Sequence, residues 1–322
     1  MNNEPIDCLI VGGGPAGLTA AIYVARFHLR AFVVDAGEGR ASKIPCTHNL
    51  AGFPGGISGA DLLQRMRTQA IKYGAEIVGG RVRQLKAIDD IFVAQTDADE
   101  LAAKSVLIAT GVTNRQPEMN DALHARALKL GRIRYCPVCD GFEVTGRNVA
   151  VLGSGTPAAK EAVFLRSYTE HVTIIATSAD DKLDAEQRSQ LSHMDIRVVA
   201  GPAHNLKLEE NGINISCSAG RLCFDSIYPA LGSIVHSELA VTLGAEVTDE
   251  GCIMVDAHQR TKVPGLYAAG DIVIGLDQIS HAMGQAGVAA TTIRNDLAAR
   301  KPLLWRATSL SVPVPRGDDY ST

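Results

Sequence analysis

Cys136 and Cys139 stand in the run Tyr135-Cys-Pro-Val-Cys-Asp-Gly-Phe-Glu143, separated only by Pro137 and Val138. Thiolate, not thiol, attacks a disulfide, so a reactive pair needs a lowered pKa or a base close by. Asp140 adjoins Cys139. Burial raises a carboxyl pKa towards neutrality, where the group can take up and return protons. The short spacer lets one sulfur displace the other within a single loop at high effective concentration. The chemistry implied is redox exchange on disulfides or dithiols, with Cys136, Cys139 and Asp140 as catalytic residues. The chain has 7 cysteines, and Cys8, Cys46, Cys217, Cys223 and Cys252 are isolated. One close pair in a long chain argues against a disulfide scaffold. No second ligand pair stands at a spacing suited to structural zinc, so no metal is expected.

Such a pair needs a frame, and the sequence carries two similar units that supply it. The first reads Asp7-Cys-Leu-Ile-Val-Gly-Gly-Gly-Pro-Ala-Gly17, then a helical stretch to about Leu29 and the strand-like Ala31-Phe-Val-Val-Asp35. The second reads Asn148-Val-Ala-Val-Leu-Gly-Ser-Gly-Thr-Pro-Ala158, then a helical stretch to about Tyr168 and Val172-Thr-Ile-Ile-Ala176. Strand, Gly-x-Gly-x-x-Gly/Ala turn, helix and second strand make up the dinucleotide fingerprint. One copy is a weak signal; two in register are strong. The glycines permit a tight turn, backbone approach to a pyrophosphate, and close helix–strand packing. The helix start then offers unpaired N–H groups to phosphate. Gly12, Gly14, Pro15, Ala16 and Gly17 are cofactor-binding candidates, and Asp35 is placed to accept ribose hydroxyls. Gly153, Gly155, Thr156 and Ala158 form a second nucleotide-type site.

Ser105-Val-Leu-Ile-Ala-Thr-Gly111 reads as a buried strand ending in a turn, which adds Ala109, Thr110 and Gly111 to the candidates. Val263-Pro-Gly-Leu-Tyr-Ala-Ala-Gly-Asp271 repeats the idea, and an apolar helical stretch follows from about Gln278 to Leu297. The first unit is therefore completed after residue 240, with the second inserted. The fold expected is α/β, with two Rossmann-like, three-layer dinucleotide-binding domains, the first of them discontinuous. Residues 1–117 and 244–322 form the first domain, and 118–243 the inserted domain carrying the cysteine pair. Residues 203–230 read as small antiparallel strands.

Composition narrows the partners. Formal charge is -4, with 46% hydrophobic and 20% charged residues, and no basic stripe appears, so nucleic acid is not expected. Met1 to Pro5 lack the features of a secretory signal. No apolar run approaches the roughly 20 residues that span a bilayer, so no membrane is expected and the cytoplasm is the default. The tail beyond Lys301 holds three prolines with Trp305 and Tyr320. It reads either as a loose terminus or as a strap over a flavin or a partner subunit.

In Gly12-Gly-Gly-Pro-Ala-Gly17, Ala109-Thr-Gly111, Cys136-Pro-Val-Cys-Asp-Gly141, Gly153-Ser-Gly155 and Ala269-Gly-Asp271, the chain resembles the low-molecular-weight thioredoxin reductases from end to end. The resemblance implies an FAD domain split by an inserted pyridine-nucleotide-type domain, and a homodimer. It implies Cys139 as the flavin-side sulfur, Cys136 as the one exchanging with substrate, and Asp140 as the acid handling protons. Gly270 and Asp271 would hold the ribityl and phosphate part of FAD. Gln278 and Ile279 would start a helix whose positive end faces the flavin ring, and Asn49 joins the cofactor-binding set. The substrate implied is a thioredoxin-like protein or a small dithiol or disulfide.

Two stretches depart from that pattern. NADPH-using members carry a His-Arg-Arg type run after the second strand of the inserted domain, which clamps the 2′-phosphate. Here Ala176-Thr-Ser-Ala-Asp-Asp181 stands there, with no cation before Lys182, and two aspartates would repel a phosphate. Efficient NADPH use is not expected. Electron partners left open are ferredoxin or another carrier, a second flavin, and weakly bound NAD(P)H. The turn at Gly153 either binds one of these ligands or serves packing alone. Gly39-Arg-Ala-Ser-Lys-Ile-Pro-Cys-Thr-His-Asn49 replaces a Gly-Gln-Leu-type turn and looks like flavin-dependent dithiol oxidases, which however carry His where this chain has Asp140. His48 has a flavin-edge or a structural reading, and His281 a flavin or dimer-contact reading. The alternatives to a reductase are an oxygen-using dithiol oxidase and a non-catalytic flavin redox-sensor module.

Overall fold

The computed structural model describes residues 4–304, so Trp305 and Tyr320 lie outside the described residues. The chain divides into two compact units, one of Met1–Ser42, Ala60–Val112 and Val235–Thr322, the other of Lys43–Gly59 and Thr113–Ile234. The elements begin with β1 (Cys8–Val11), α1 (Pro15–Arg26), β2 (Ala31–Asp35), α2 (Gly59–Lys72), β3 (Glu76–Gly79), β4 (Val82–Ile88), β5 (Ile91–Thr96), β6 (Glu100–Ala103), β7 (Val106–Ile108) and β8 (Val112–Asn114). Then come α3 (Asp121–Lys129), α4 (Pro137–Asp140), β9 (Val149–Leu152), α5 (Gly155–Leu165), β10 (Val172–Ile175), α6 (Ala185–His193) and β11 (Arg197–Val199). The remainder are β12 (His204–Glu209), β13 (Gly212–Cys217), β14 (Gly220–Phe224), β15 (Ser226–Pro229), β16 (Ser233–Val235), α7 (Glu238–Thr242), β17 (Leu266–Ala268) and α8 (Ile279–Arg300).

The first unit is built on a five-stranded sheet in the order β17-β7-β1-β2-β3, with all neighbouring pairs parallel. Its central strand is Cys-Leu-Ile-Val, buried at every position, as a parallel strand covered on both faces must be. Alternate residues take opposite faces. Cys8, Ile10, Val33, Leu107 and Tyr267 pack with Ala20, Ala21, Ala286 and Ala290 of α1 and α8. Leu9, Val11, Val34, Ile108 and Leu266 pack with Leu85, Phe92 and Ala94 of the antiparallel sheet β4-β5-β6. Helices, parallel sheet and antiparallel sheet are the three layers.

The second unit repeats this plan on a parallel sheet ordered β11-β10-β9-β15. Val149, Val151 and Ile174 pack with Ala158, Ala162 and Leu165 of α5, whereas Ala150, Leu152 and Ile175 pack with Ile213, Ile215 and Phe224. The antiparallel reading of residues 203–230 holds for β12-β13-β14, up to Phe224. Ser226–Pro229 instead joins β9 in parallel. Its all-buried run, Ser-Ile-Tyr-Pro, is that of an interior strand. Among the described residues no helix is long and apolar enough to cross a membrane.

The first glycine turn depends on two close approaches. Gly12 has φ +111°, and a Cβ there would collide with the Ala109 carbonyl. A Cβ on Gly17 would collide with the Gly12 carbonyl, so α1 can start against β1 only if residue 17 has no side chain. Gly17→Ala should therefore destabilise the protein by about 1–3 kcal/mol, the usual range for overpacking. Gly14→Ala, whose Cβ meets nothing within 4 Å, should cost far less. Urea denaturation of the two variants checks the difference.

Candidate functional site

Cys136 and Cys139 are joined as a disulfide, S–S 2.07 Å, with Cα atoms 5.2 Å apart. Pro137, at the first position of α4, presets the helical φ, while Cys136 caps the turn in an extended conformation. The Cys139 N–H donates to Cys136 Sγ at 3.1 Å and to the Cys136 carbonyl at 2.9 Å. An N–H aimed at this sulfur favours its thiolate form once the disulfide opens. Gly141 lets the turn close, because a Cβ there would lie 2.5 Å from the Tyr168 ring and 2.6 Å from the Pro137 carbonyl.

Asp140 ends this turn in a polar cluster that is mostly buried. Arg134 Nη1 donates to its Oδ2 at 2.9 Å, and the hydroxyl of fully buried Tyr228, on β15, donates to its Oδ1 at 3.1 Å. Burial pushes the Asp140 carboxyl above the usual carboxylate range; Arg134 and Tyr228 pull it back, and the charge of Glu143 adds to the rise. Burial also pushes the Tyr228 hydroxyl up, so it stays a donor. On α5, Glu161 has its Oε1 buried without a partner, as are Glu143 Oε2 and Arg134 Nε. Burial and then the charge of Asp140 push Glu161 up to about 7. A carboxyl raised in this way next to Cys139, as Asp140 is, can give a proton to a sulfur and take it back.

In the first unit the candidates gather at the carboxyl ends of the strands. Gly14 precedes α1 without a side-chain cap, and Pro15 opens the helix. The first-turn N–H groups thus have no side-chain cap. Gly13 N and Gly37 N donate to Asp35 Oδ1 at 3.3 and 3.0 Å, and Arg67 pairs with Asp35 Oδ2 at 2.6 Å. Ala109 lies against Gly12, Gly111 has φ +65°, and Thr110 Oγ1 donates to the His236 carbonyl at 2.7 Å. A Cβ on Gly270 would come within 3.0 Å of Ala16. Its N–H donates to Gln285 Oε1 at 2.8 Å, and Gln285 Nε2 meets His281 Nε2 at 2.9 Å. Arg40 bridges Asp271 at 2.8 Å and Asp277 at 3.2 Å; burial raises the Asp271 carboxyl and Arg40 draws it down. Buried Gln278 and then Ile279 open α8. An uncapped helix start and an acid at the strand end fit the pyrophosphate and ribose of a dinucleotide such as FAD.

Asn49 lies in the 43–59 segment that groups with the second unit. Its Nδ2 donates to the Val138 carbonyl at 3.5 Å, within the cysteine turn. The His48 ring and Cys46 sulfur crowd against Gly56, which has φ +72°.

The second glycine turn is arranged differently. Gly153 lies against the Ala230 carbonyl and Ala158, so packing alone calls for glycine there. The Gly155 N–H, at the start of α5, donates to the Asp181 carbonyl at 2.7 Å. Ser154 Oγ and Thr177 Oγ1 are 3.2 Å apart, and Gln187 Nε2 donates to Thr156 Oγ1 at 2.9 Å. Asp181 is buried and paired with Arg188 at 2.6 Å. The loop after β10 is thus hydrogen-bonded onto the turn, and its nearest guanidinium is already neutralised.

Sequence spacing gives no hint of Arg134, just before the cysteine turn, or of Tyr228, Arg67 and Gln285, which other elements bring in. Glu161 gave no signal of its own, standing next to Lys160 in α5. Residues 6–286 match the family described as pyridine nucleotide-disulphide oxidoreductase. The chain is 31% identical over 305 residues to the thioredoxin reductase of Mycoplasmopsis pulmonis, covering 91% of this chain and 98% of that protein. It is similar to the crystal structure of thioredoxin reductase from Streptococcus pyogenes (25% identity, TM-score 0.85, 92% of this chain and 100% of that one). It is also similar to the atypical thioredoxin reductase TRi from Desulfovibrio vulgaris Hildenborough (30% identity, TM-score 0.53, 92% and 100%).

The raised carboxyl of Glu161 makes stability depend on pH. Its value is about 7 in the fold against an ordinary 4.5, so its contribution is full below 4.5 and is lost as pH rises through about 7. Glu161→Gln, which never ionises, should exceed the parent protein in stability by about 1–3 kcal/mol at about pH 8 and differ little at about pH 4. Urea denaturation at the two pH values measures this.

Proposed function

This chain belongs to the pyridine nucleotide-disulphide oxidoreductase family, in its low-molecular-weight thioredoxin reductase class, and on that premise we propose that it moves electrons between flavin and substrate sulfur using a partner other than tightly bound NADPH. It is a flavin-dependent disulfide oxidoreductase. The first unit is the proposed FAD domain, with Gly12, Gly14, Asp35, Asp271 and Gln278 among the residues that would hold the cofactor. When bound, FAD supplies a two-electron carrier. The protein's own part begins with Cys136. Its thiolate attacks one sulfur of the substrate disulfide, forming a mixed disulfide and releasing a substrate thiolate. Asp140 gives that sulfur a proton. Cys139 then displaces the second substrate sulfur, the Cys136–Cys139 bond closes, and both substrate sulfurs leave reduced. The reverse sequence oxidises a dithiol.

The observation that carries the donor reading is the Asp181 carbonyl seated on the Gly155 N–H, the group a dinucleotide pyrophosphate would need. Exposed Asp180 and the neutralised Arg188 leave no clamp for a 2′-phosphate. A similar protein described as an atypical thioredoxin reductase supports this reading. The donor classes are a ferredoxin-type carrier, a second flavin in the inserted unit, or weakly held NAD(P)H. A thioredoxin-like protein is the proposed substrate, and a homodimer in the cytoplasm the proposed setting. Exposed free Cys46 and Cys223 suit a reducing compartment.

Losing a charged hydrogen-bond clamp forfeits about 3 kcal/mol, roughly 100-fold in NADPH affinity. Stopped-flow mixing with millimolar NADPH should therefore reduce the bound flavin slowly, and arginines placed by Thr177→Arg and Ser178→Arg should speed it. Complete bleaching within milliseconds in the unaltered protein would overturn the donor reading. Anaerobic dithiothreitol should bleach the flavin of the parent protein but not of Cys139→Ser; no response in the parent would sink the enzyme reading.

A further inference from the structure

The chain enters the cysteine turn along β15. The Ile227 N–H donates to the Arg132 carbonyl, and the Arg134 N–H donates to the Ile227 carbonyl, both at 2.9 Å. Backbone pairing ends there. Among the described residues, the one hydrogen bond that Tyr135 makes is through its phenol, to His124 Nε2 at 2.8 Å. Tyr135 immediately precedes Cys136. His124 is buried on α3, whose start is capped by the Asn120 side chain accepting from the Leu123 N–H. One turn along α3, Ala127 packs with Ile133 and Ile227, and the Tyr135 ring lies against the same cluster. The His124 and Tyr135 ring centroids are 5.9 Å apart. Burial pushes the Tyr135 phenol up. Burial and then the charge of Lys43 pull the His124 imidazole down, against the opposing charge of Asp121. The phenol is thus the donor and Nε2 the acceptor, which puts the ring proton on Nδ1.

Successive side chains of a strand take opposite faces, so β15 holds the turn from both. Tyr228 on one face reaches Asp140 at the trailing end of the turn, and Ile227 on the other packs in the cluster that carries Tyr135 at the leading end. Helix α4 has only four residues. A single helical turn is marginal by itself, so it depends on what fixes its two ends. We propose that His124 is a positioning residue for Cys136: through Tyr135 it keeps the leading sulfur in place when the disulfide opens, and so favours closure of the Cys136–Cys139 bond. The inference rests on the reading of that pair as the redox centre. When a dithiol reductant opens the pair, the bond between the sulfurs breaks and takes up two electrons and two protons. The reductant gives them up and closes its own disulfide. The balance depends on how close the two freed sulfurs stay. Cys136 is extended, at φ -152° and ψ 101°. Its bonds from the Cys139 N–H are internal to the turn and do not tie it to the sheet. The phenol–imidazole bond is the tie next before it.

The test uses the full, FAD-loaded protein, equilibrated anaerobically in mixtures of reduced and oxidised dithiothreitol. Alkylation and peptide mass then read the state of Cys136 and Cys139. Tyr135→Phe keeps the ring and deletes the donor, while His124→Leu deletes the acceptor. Each should make the pair about fivefold easier to reduce, the worth of one hydrogen bond between neutral groups. The double variant should shift no further than either single one, because both remove the same bond. His124→Gln, whose amide oxygen accepts from the phenol in place of Nε2, should stay within about twofold of the parent. Tyr135→Phe, the milder change, keeps the test decisive if His124→Leu does not fold. An equilibrium unmoved or shifted the other way in folded Tyr135→Phe, even with lower urea stability, overturns the inference, and so do single shifts that add in the double variant. A Cys136–Cys139 bond that dithiothreitol does not open in the parent overturns the reading of the redox centre instead.

Discussion

A carboxyl beside a sulfur pair is useful as an acid only if it is dry enough to keep its proton and supported enough to release it. For Asp140 the support comes from one contact, the 2.9 Å pairing with Arg134. Without Arg134 the ionised form would be an uncompensated charge in a poorly solvated place, and Asp140 would be a fixed neutral group. With Arg134 and no opposing effect, it would be a permanent carboxylate. Burial and then the charge of Glu143 supply the opposition. The balance leaves the Asp140 carboxyl above the usual carboxylate range, the direction a proton donor needs.

The same Gly-x-Gly-x-x-Gly/Ala device occurs twice in the chain and is arranged in two ways. In the first unit α1 begins uncapped, with open space over Gly14 and Asp35 at the adjoining strand end. In the second, α5 begins with its first N–H bonded to a carbonyl of its own fold. The glycine requirement survives in both because it arises from backbone packing: Gly12 against Ala109 and Gly153 against Ala230. A ligand is not needed to explain a glycine at either place. What separates the two turns is the loop after the second strand, Asp35-Ala-Gly37 in one and Ala176 to Asp181 in the other.

This explains what the sequence could reveal. The strands, glycine turns and Cys-x-x-Cys-Asp run are local patterns, and their period and spacing carry the three-layer fold of both units. The support of Asp140 is not local. Arg134 lies just before the turn but looks like any surface arginine, and Tyr228 arrives from a strand about ninety residues later. That strand, Ser226–Pro229, follows three antiparallel strands directly, and only its complete burial marks it as part of the parallel sheet. Arg40 stands in the stretch that replaces a Gly-Gln-Leu-type turn. Its two partners, Asp271 and Asp277, lie more than two hundred residues further on. The reach of Asp181 back to Gly155 is likewise a matter of loop path, which no propensity encodes.

Helix α5 connects the two halves of the second unit's chemistry and also keeps them apart. Gly155 opens it under the Asp181 loop, and Glu161 stands six residues on, about 9 Å along the axis at 1.5 Å per residue. Changes in the loop therefore alter which group sits on the helix start without touching the carboxyl cluster, where α5 meets the cysteine turn. Arg188 is tied to Asp181 and Arg134 to Asp140, so neither cation is shared. The loop at the start of α5 and the carboxyl of the cysteine turn therefore share no ion pair. The geometry of the cysteine turn and that of the loop over Gly155 are then independent features of one protein.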